Sequence, residues 1–141
     1  MARGRLDSTG LIKMKTLDDA LLLMQRINGL VEQYAMAVKR GGTTQNFVQS
    51  IRRALPTLAE NLKSHFGMIS DQIVAVNLAS SRGTSEAVRV RQLREGVAQI
   101  KQAIEIAMTQ TKDRHTVREN DDEKDDAGEE ERSKSTPTKP A

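Results

Sequence analysis

The stretch VRQLREGVAQIKQAIEIA, residues 90–107, places Val90, Leu93, Val97, Ile100, Ile104 and Ala107 at alternating steps of three and four. Only a helix brings residues at that spacing onto one side, as a narrow heptad seam. The turn residues before it, Ser80-Ser81-Arg82-Gly83, mark a break. Thr84 or Ser85, followed by Glu86, is a start signal. A helix of 30 or more residues is therefore expected to begin there and to fray near Arg114–Arg118. At 1.5 Å per residue it would be about 45 Å long.

Upstream, Leu62, Phe66, Ile69, Ile73 and Val76 continue the same spacing, and Val48, Ile51, Leu55, Leu58 and Leu62 precede them. The two runs meet with back-to-back steps of four at Leu62, which shifts the seam locally. Pro56 lies nearby, and proline inside a helix costs roughly 3 kcal/mol and one backbone bond. A kink over residues 52–56, or a restart at Pro56, is expected in this second helix. The first helix carries two seams. One is Ala20, Leu23, Ile27, Leu30, Tyr34 and Ala37. The other is Leu17, Leu21, Met24, Val31, Ala35 and Val38. Thr16-Leu17-Asp18-Asp19 has the form of a capping box, and Gly41-Gly42 after Lys39-Arg40 is a strong stop. Thr43 or Thr44 can cap the second helix. A helix with two seams must be covered on two sides. The expected fold is all-α with three main helices: a long antiparallel hairpin of helices two and three, helix two kinked near Pro56, and helix one packed alongside. The seam residues Leu62, Phe66, Ile69, Ile73, Val76, Val90, Leu93, Val97, Ile100 and Ile104 are expected in the core or at an oligomer contact. Helix one is shorter than the hairpin, so part of the seam is expected to be covered by a second copy.

Composition narrows the function. Among 141 residues there is no Trp, one Tyr, two Phe and no Cys. So few aromatics argue against a β-sandwich or an enzyme-like α/β core. Disulfide scaffolds, zinc-finger frameworks and thiol nucleophiles are excluded outright. Neither His65 nor His115 has an acidic residue three positions before it, so a Glu-x-x-His di-metal site is not expected. In a straight hairpin the two would lie far apart, as flank residues. Gly41-Gly42-Thr43-Thr44 lacks the lysine of a phosphate loop. No serine or threonine has an evident base beside it. The methionines Met14, Met24, Met36, Met68 and Met108 read as core filler. No catalytic, cofactor-binding or metal-binding constellation is expected, and no motif is specific enough to name a family.

Charge is divided along the chain. Residues 1–118 carry 18 Lys and Arg against 10 Asp and Glu, and residues 119–141 carry 4 against 9. The tail has no Leu, Ile, Val, Met or aromatic residue, so it is expected to be disordered. The domain plan is a flexible basic arm over residues 1–14, a helical bundle or coiled-coil domain over 15–118, and the acidic tail. Arg3, Arg5, Arg52, Arg53, Arg82, Arg89, Arg91 and Arg94 are candidate anion- or nucleic-acid-binding residues. They read either as solvated helix flanks that snorkel over the seam or as a surface for phosphate. The tail reads as a solubilising extension or as a competitor for that surface. There is no apolar core of a signal peptide and no run of the roughly 18 apolar residues of a membrane span. A cytoplasmic, non-membrane protein is expected. The function expected is that of a non-enzymatic scaffold, adaptor or assembly factor, dimeric for preference and bound to a protein partner. The alternative is an architectural protein that contacts the phosphate backbone of nucleic acid through a basic face.

Overall fold

The computed structural model describes residues 5–82 and 85–117. The expected disorder of residues 119–141 lies outside them. The chain forms four helices: α1 (Ser8–Arg40), α2 (Gln45–Leu62), α3 (Gly67–Ser81) and α4 (Glu86–His115). Two short strands, β1 (Arg5–Leu6) and β2 (Thr116–Val117), pair antiparallel, Arg5 with Val117 and Leu6 with Thr116. The fold is all-α as expected, with one helix more than the seams implied.

The extra helix comes from helix two. α2 passes through Pro56 without a break. Pro56 is exposed, so its ring faces water and the lost bond is at the surface. The chain turns instead at 63–66, directly after the doubled step at Leu62, where Phe66 leaves helical geometry at φ −136° and ψ 58°. α3 then runs back along α2, and Ser70 Oγ donates to the Ala59 carbonyl at 2.8 Å. The helices pack in a ring, α1 on α2 and α4, α3 on α2 and α4. The result is a closed four-helix bundle of up-down-up-down form.

α1 starts earlier than the capping box at Thr16 implied, and residues 8–14 belong to it rather than to a loose arm. Asp7 is its N-cap and accepts from the Gly10 N–H at 2.7 Å. Thr16 lies inside the helix, its hydroxyl donating to the Ile12 carbonyl. At the other end Gly41 adopts φ 73°, the left-handed conformation glycine tolerates, and the Gly42 N–H reaches back to the Ala37 carbonyl. Thr44 is the N-cap residue of α2, as expected, but its side chain makes no capping bond; its hydroxyl donates to Glu86 at 2.8 Å instead. That bond levels the starts of α2 and α4. Ser85 caps α4 through the Val88 N–H.

The core runs the length of the bundle and includes Leu17, Met24, Ile27, Tyr34, Ile51 and Leu55. The seam residues lie inside it. Leu62, Ile69, Ile73, Val90, Leu93, Val97, Ile100 and Ile104 are buried, and Phe66 and Val76 pack partly buried against them. The seam therefore needs no second copy, because the fourth helix covers it. Met14 and Met24 are core, Met108 is half-buried, and Met36 and Met68 are exposed rather than filling the interior. Among the described residues no helix is long and apolar enough to cross a membrane.

Candidate functional site

The eight basic candidates do not share a face. Arg3 lies outside the described residues. Arg5 is exposed on β1, Arg52 and Arg53 are exposed on α2, Arg82 is exposed where α3 ends, and Arg91 is exposed on α4. Arg89 is structural: Nε donates to the Ser80 carbonyl at 2.8 Å and Nη1 to the Tyr34 hydroxyl at 3.3 Å. It ties the α3 terminus and α1 to α4. Arg94 forms a two-bond fork on Glu32, with contacts of 3.0 and 2.7 Å. That fork, through its hydrogen bonds and its charge, lowers the Glu32 carboxyl pKa and raises that of Arg94. α2 and α4 sit diagonally in the ring, so Arg52–Arg53 and Arg91–Arg94 flank α1 from opposite sides.

What replaces the expected face is a groove between α1 and α2. Arg26 and Arg53 line it together with Leu23, Leu30 and Ala54. Further along, Arg40 lines a second stretch with Met36 and Phe47. From Ala20 to Ala59 the sequence holds one acidic residue, Glu32, and Arg94 occupies it on the far flank. Arg26 and Arg40 do not stand out in the sequence, where basic clusters show only as neighbours along the chain, whereas the groove joins residues 26 and 53 across two helices.

The base of the bundle is the second locus. α1 and α4 have 33 and 30 residues, α2 and α3 have 18 and 15. The far ends of the long pair therefore overhang the α2–α3 turn. There His115 is half-buried against α1. A Cβ on Gly10 would come within 2.5 Å of His115 Cβ, so only glycine admits the His115 side chain so close. Asp7 faces His115 Nδ1 at 3.3 Å, and Lys13 Nζ lies 3.4 Å from Nε2. In the neutral ring with Nδ1–H on Asp7, Nε2 is the acceptor for the Lys13 ammonium; in the protonated ring both nitrogens donate and Asp7 faces a charge. The Asp7 carboxyl pKa is lowered, first by the Gly10 N–H and then by the bond and charge of His115, with Lys13 adding to it. His65, far from His115 in a straight hairpin, lines the same basal cavity, because the turn at 63–66 brings it to the end of α4. No sequence spacing could join Asp7 to His115, which lie 108 residues apart. Among the described residues no group of three His, Cys, Asp or Glu is placed to hold a metal ion.

The third locus is the outer side of α3. Met68, Val74 and Leu78 are 87, 54 and 54% exposed, while Ile69 and Ile73 of the same helix face the core. Comparison with protein-family models, with curated proteins and with solved structures gives no match.

Proposed function

We propose that this protein is a non-enzymatic helical interaction protein, a scaffold or adaptor that works as a homodimer joined through the outer side of α3. One observation carries this reading: α3 is apolar on both sides, and the bundle covers one of them. A helix apolar all round is normally enclosed, and an exposed apolar strip in a closed bundle marks a contact surface. A second copy is the occupant that fits. Asp71 is the sole charged residue of α3, so the strip has no charge pattern to select an acidic or basic partner. The chain after residue 117 has no Leu, Ile, Val, Met or aromatic residue with which to cover it. Ala75 and Ala79 are exposed beside Val74 and Leu78. In an antiparallel pair about a twofold axis, such small positions receive the large ones of the partner. One 15-residue helix gives a contact at the low end of protein interfaces, below about 1,200 Å² in total. The dimer is therefore weak, with a dissociation constant in the micromolar range or above. Sedimentation of the full chain from about 1 μM to about 1 mM, a span set by that weak class, should show a reversible monomer–dimer equilibrium. Leu78→Asp should hold the chain monomeric throughout. A wild-type chain that stays monomeric to the top of that range removes the reading.

A second reading rests on the α1–α2 groove. Arg26, Arg40, Arg52 and Arg53, in a stretch from Ala20 to Ala59 whose one acid is Glu32, form a surface for a polyanion held through its backbone. Anisotropy of labelled mixed-sequence DNA and RNA at low and high salt tests it. Binding that weakens steeply with salt and falls further in an Arg52→Glu, Arg53→Glu double variant supports it. No binding at low salt removes it.

A further inference from the structure

The cavity at the base of the bundle shares Met68 with the α3 face and no residue with the α1–α2 groove. Its volume is 490 Å³, within the roughly 300–1,000 Å³ of small-molecule sites. It exists because α2 and α3 end short of the overhanging ends of α1 and α4. Its walls are mostly apolar, with Phe66, Met68 and Ile69 from the turn and α3 and Ala103, Ile106 and Ala107 from α4; Gln72, Gln110 and Thr111 add polar groups. Met68 and Ile106 are 87% and 50% exposed, so the walls present large side chains to open space.

The rim has one sign of charge. Among the described residues Lys13, His65, Arg114 and His115 line it, and no aspartate or glutamate does. Among the described residues neither Lys13 nor Arg114 forms an ion pair with a carboxylate. Asp7, the acid that contacts His115, is committed to the Gly10 N–H and to that ring. Lys13 instead lies 3.4 Å from Nε2 of His115. An ammonium beside an imidazole is poorly compensated, and an arriving anion would supply a stronger acceptor for it. The walls and the rim ask for different parts of one molecule: an apolar body and a single negative head.

We propose that the basal cavity binds an amphipathic monoanion of the medium-chain carboxylate class, its chain against Phe66, Ile69 and Ile106 and its carboxylate between Lys13, Arg114 and His115. The apolar walls supply the contact area. The low-dielectric walls strengthen the ion pair at the rim, and the Lys13 and Arg114 charges that line it repel cations. The bound carboxylate accepts from the Lys13 ammonium and the Arg114 guanidinium.

An NMR titration of the full-length chain with sodium octanoate, octanol and octyltrimethylammonium tests this. Octanoate should give saturable amide shifts confined to the neighbourhood of Lys13 and to residues 65–72 and 103–115, octanol should bind on the order of tenfold more weakly for want of the rim ion pair, and the cation should give none. Lys13→Gln and Arg114→Gln should each weaken octanoate several-fold and leave octanol unchanged, whereas Ile106→Gln should weaken both. Circular dichroism melts of the three variants show that the fold is intact; Arg114 and Ile106 are exposed, so at least these two report on binding alone. The proposal fails if octanoate does not saturate, if octanol binds equally well, if the shifts spread across the bundle, or if removing both cations changes nothing.

Discussion

Gly96 of α4 is where Val76 of α3 rests: a Cβ on Gly96 would lie 2.6 Å from Val76 Cγ1 and 2.8 Å from Cγ2. In an open helix, alanine in place of glycine would stabilise by up to about 1 kcal/mol. Here the added methyl meets a β-branched side chain with little rotamer freedom. Gly96→Ala is expected to destabilise the chain by about 1–3 kcal/mol, as overpacking does, read by urea denaturation. Val76→Ala in the same chain should recover most of that loss, a coupling that a double-mutant cycle isolates. A Gly96→Ala chain as stable as wild type would mean that α3 and α4 do not approach this closely.

Ser70 is the corresponding tie between α2 and α3. It is buried, and its hydroxyl donates to the carbonyl of Ala59, also buried, in the last turn of α2. Carbonyls at that end of a helix lack helical donors. Ser70→Ala should therefore cost about 1–3 kcal/mol, the range for orphaning a buried polar group. An unchanged denaturation midpoint would show that the α2–α3 turn is held by its apolar contacts alone.

The sequence carried the seams well because the step of three and four is set by helix geometry alone. Val90 to Ile104, Leu62 and Ile73 lie in the core, as their spacing requires. The doubled step at Leu62 marked the true turn, but proline has the stronger reputation as a breaker, and Pro56 drew the expectation. At the surface a proline costs a helix one solvated bond, which the buried Leu55, Leu58 and Leu62 around it outweigh. The sites were far less legible. Arg89 and Arg94 look like free cations in sequence, whereas their partners Tyr34 and Glu32 lie 55 and 62 residues away. The basal cavity arises from unequal helix lengths, which show only when helix two is divided into α2 and α3.

Asp7 gives the end clasp a pH dependence. Its carboxyl titrates below its ordinary value of 3.8, chiefly through the Gly10 N–H and then through His115. A depressed folded pKa gives stability that is present above the unfolded value and lost as pH falls through the folded one. Wild type should therefore lose melting temperature faster than Asp7→Asn as pH drops from about 5 to about 2. Asparagine keeps a capping oxygen but not the charge that faces His115 and Lys13. Parallel acid curves for the two chains would show that the clasp contributes nothing through that charge.

Ile73 and Val74 are adjacent in α3 and should answer the same substitution in opposite ways. Ile73 is 0% exposed in the core, and Val74 is 54% exposed on the outer strip. Aspartate at 73 would bury a carboxylate with no partner. The expected loss is at least the roughly 2–5 kcal/mol of a large-to-small change in a core. Aspartate at 74 faces water in the monomer and should leave the melting curve at low concentration nearly unchanged. At high concentration it sets a charge into the α3–α3 contact and should abolish the dimer seen by sedimentation. The two effects separate folding from assembly, since one residue belongs to the core and its neighbour to the outer strip. Should Ile73→Asp stay folded while Val74→Asp unfolds, α3 would be rotated from the orientation found here, and the apolar strip would belong to the core.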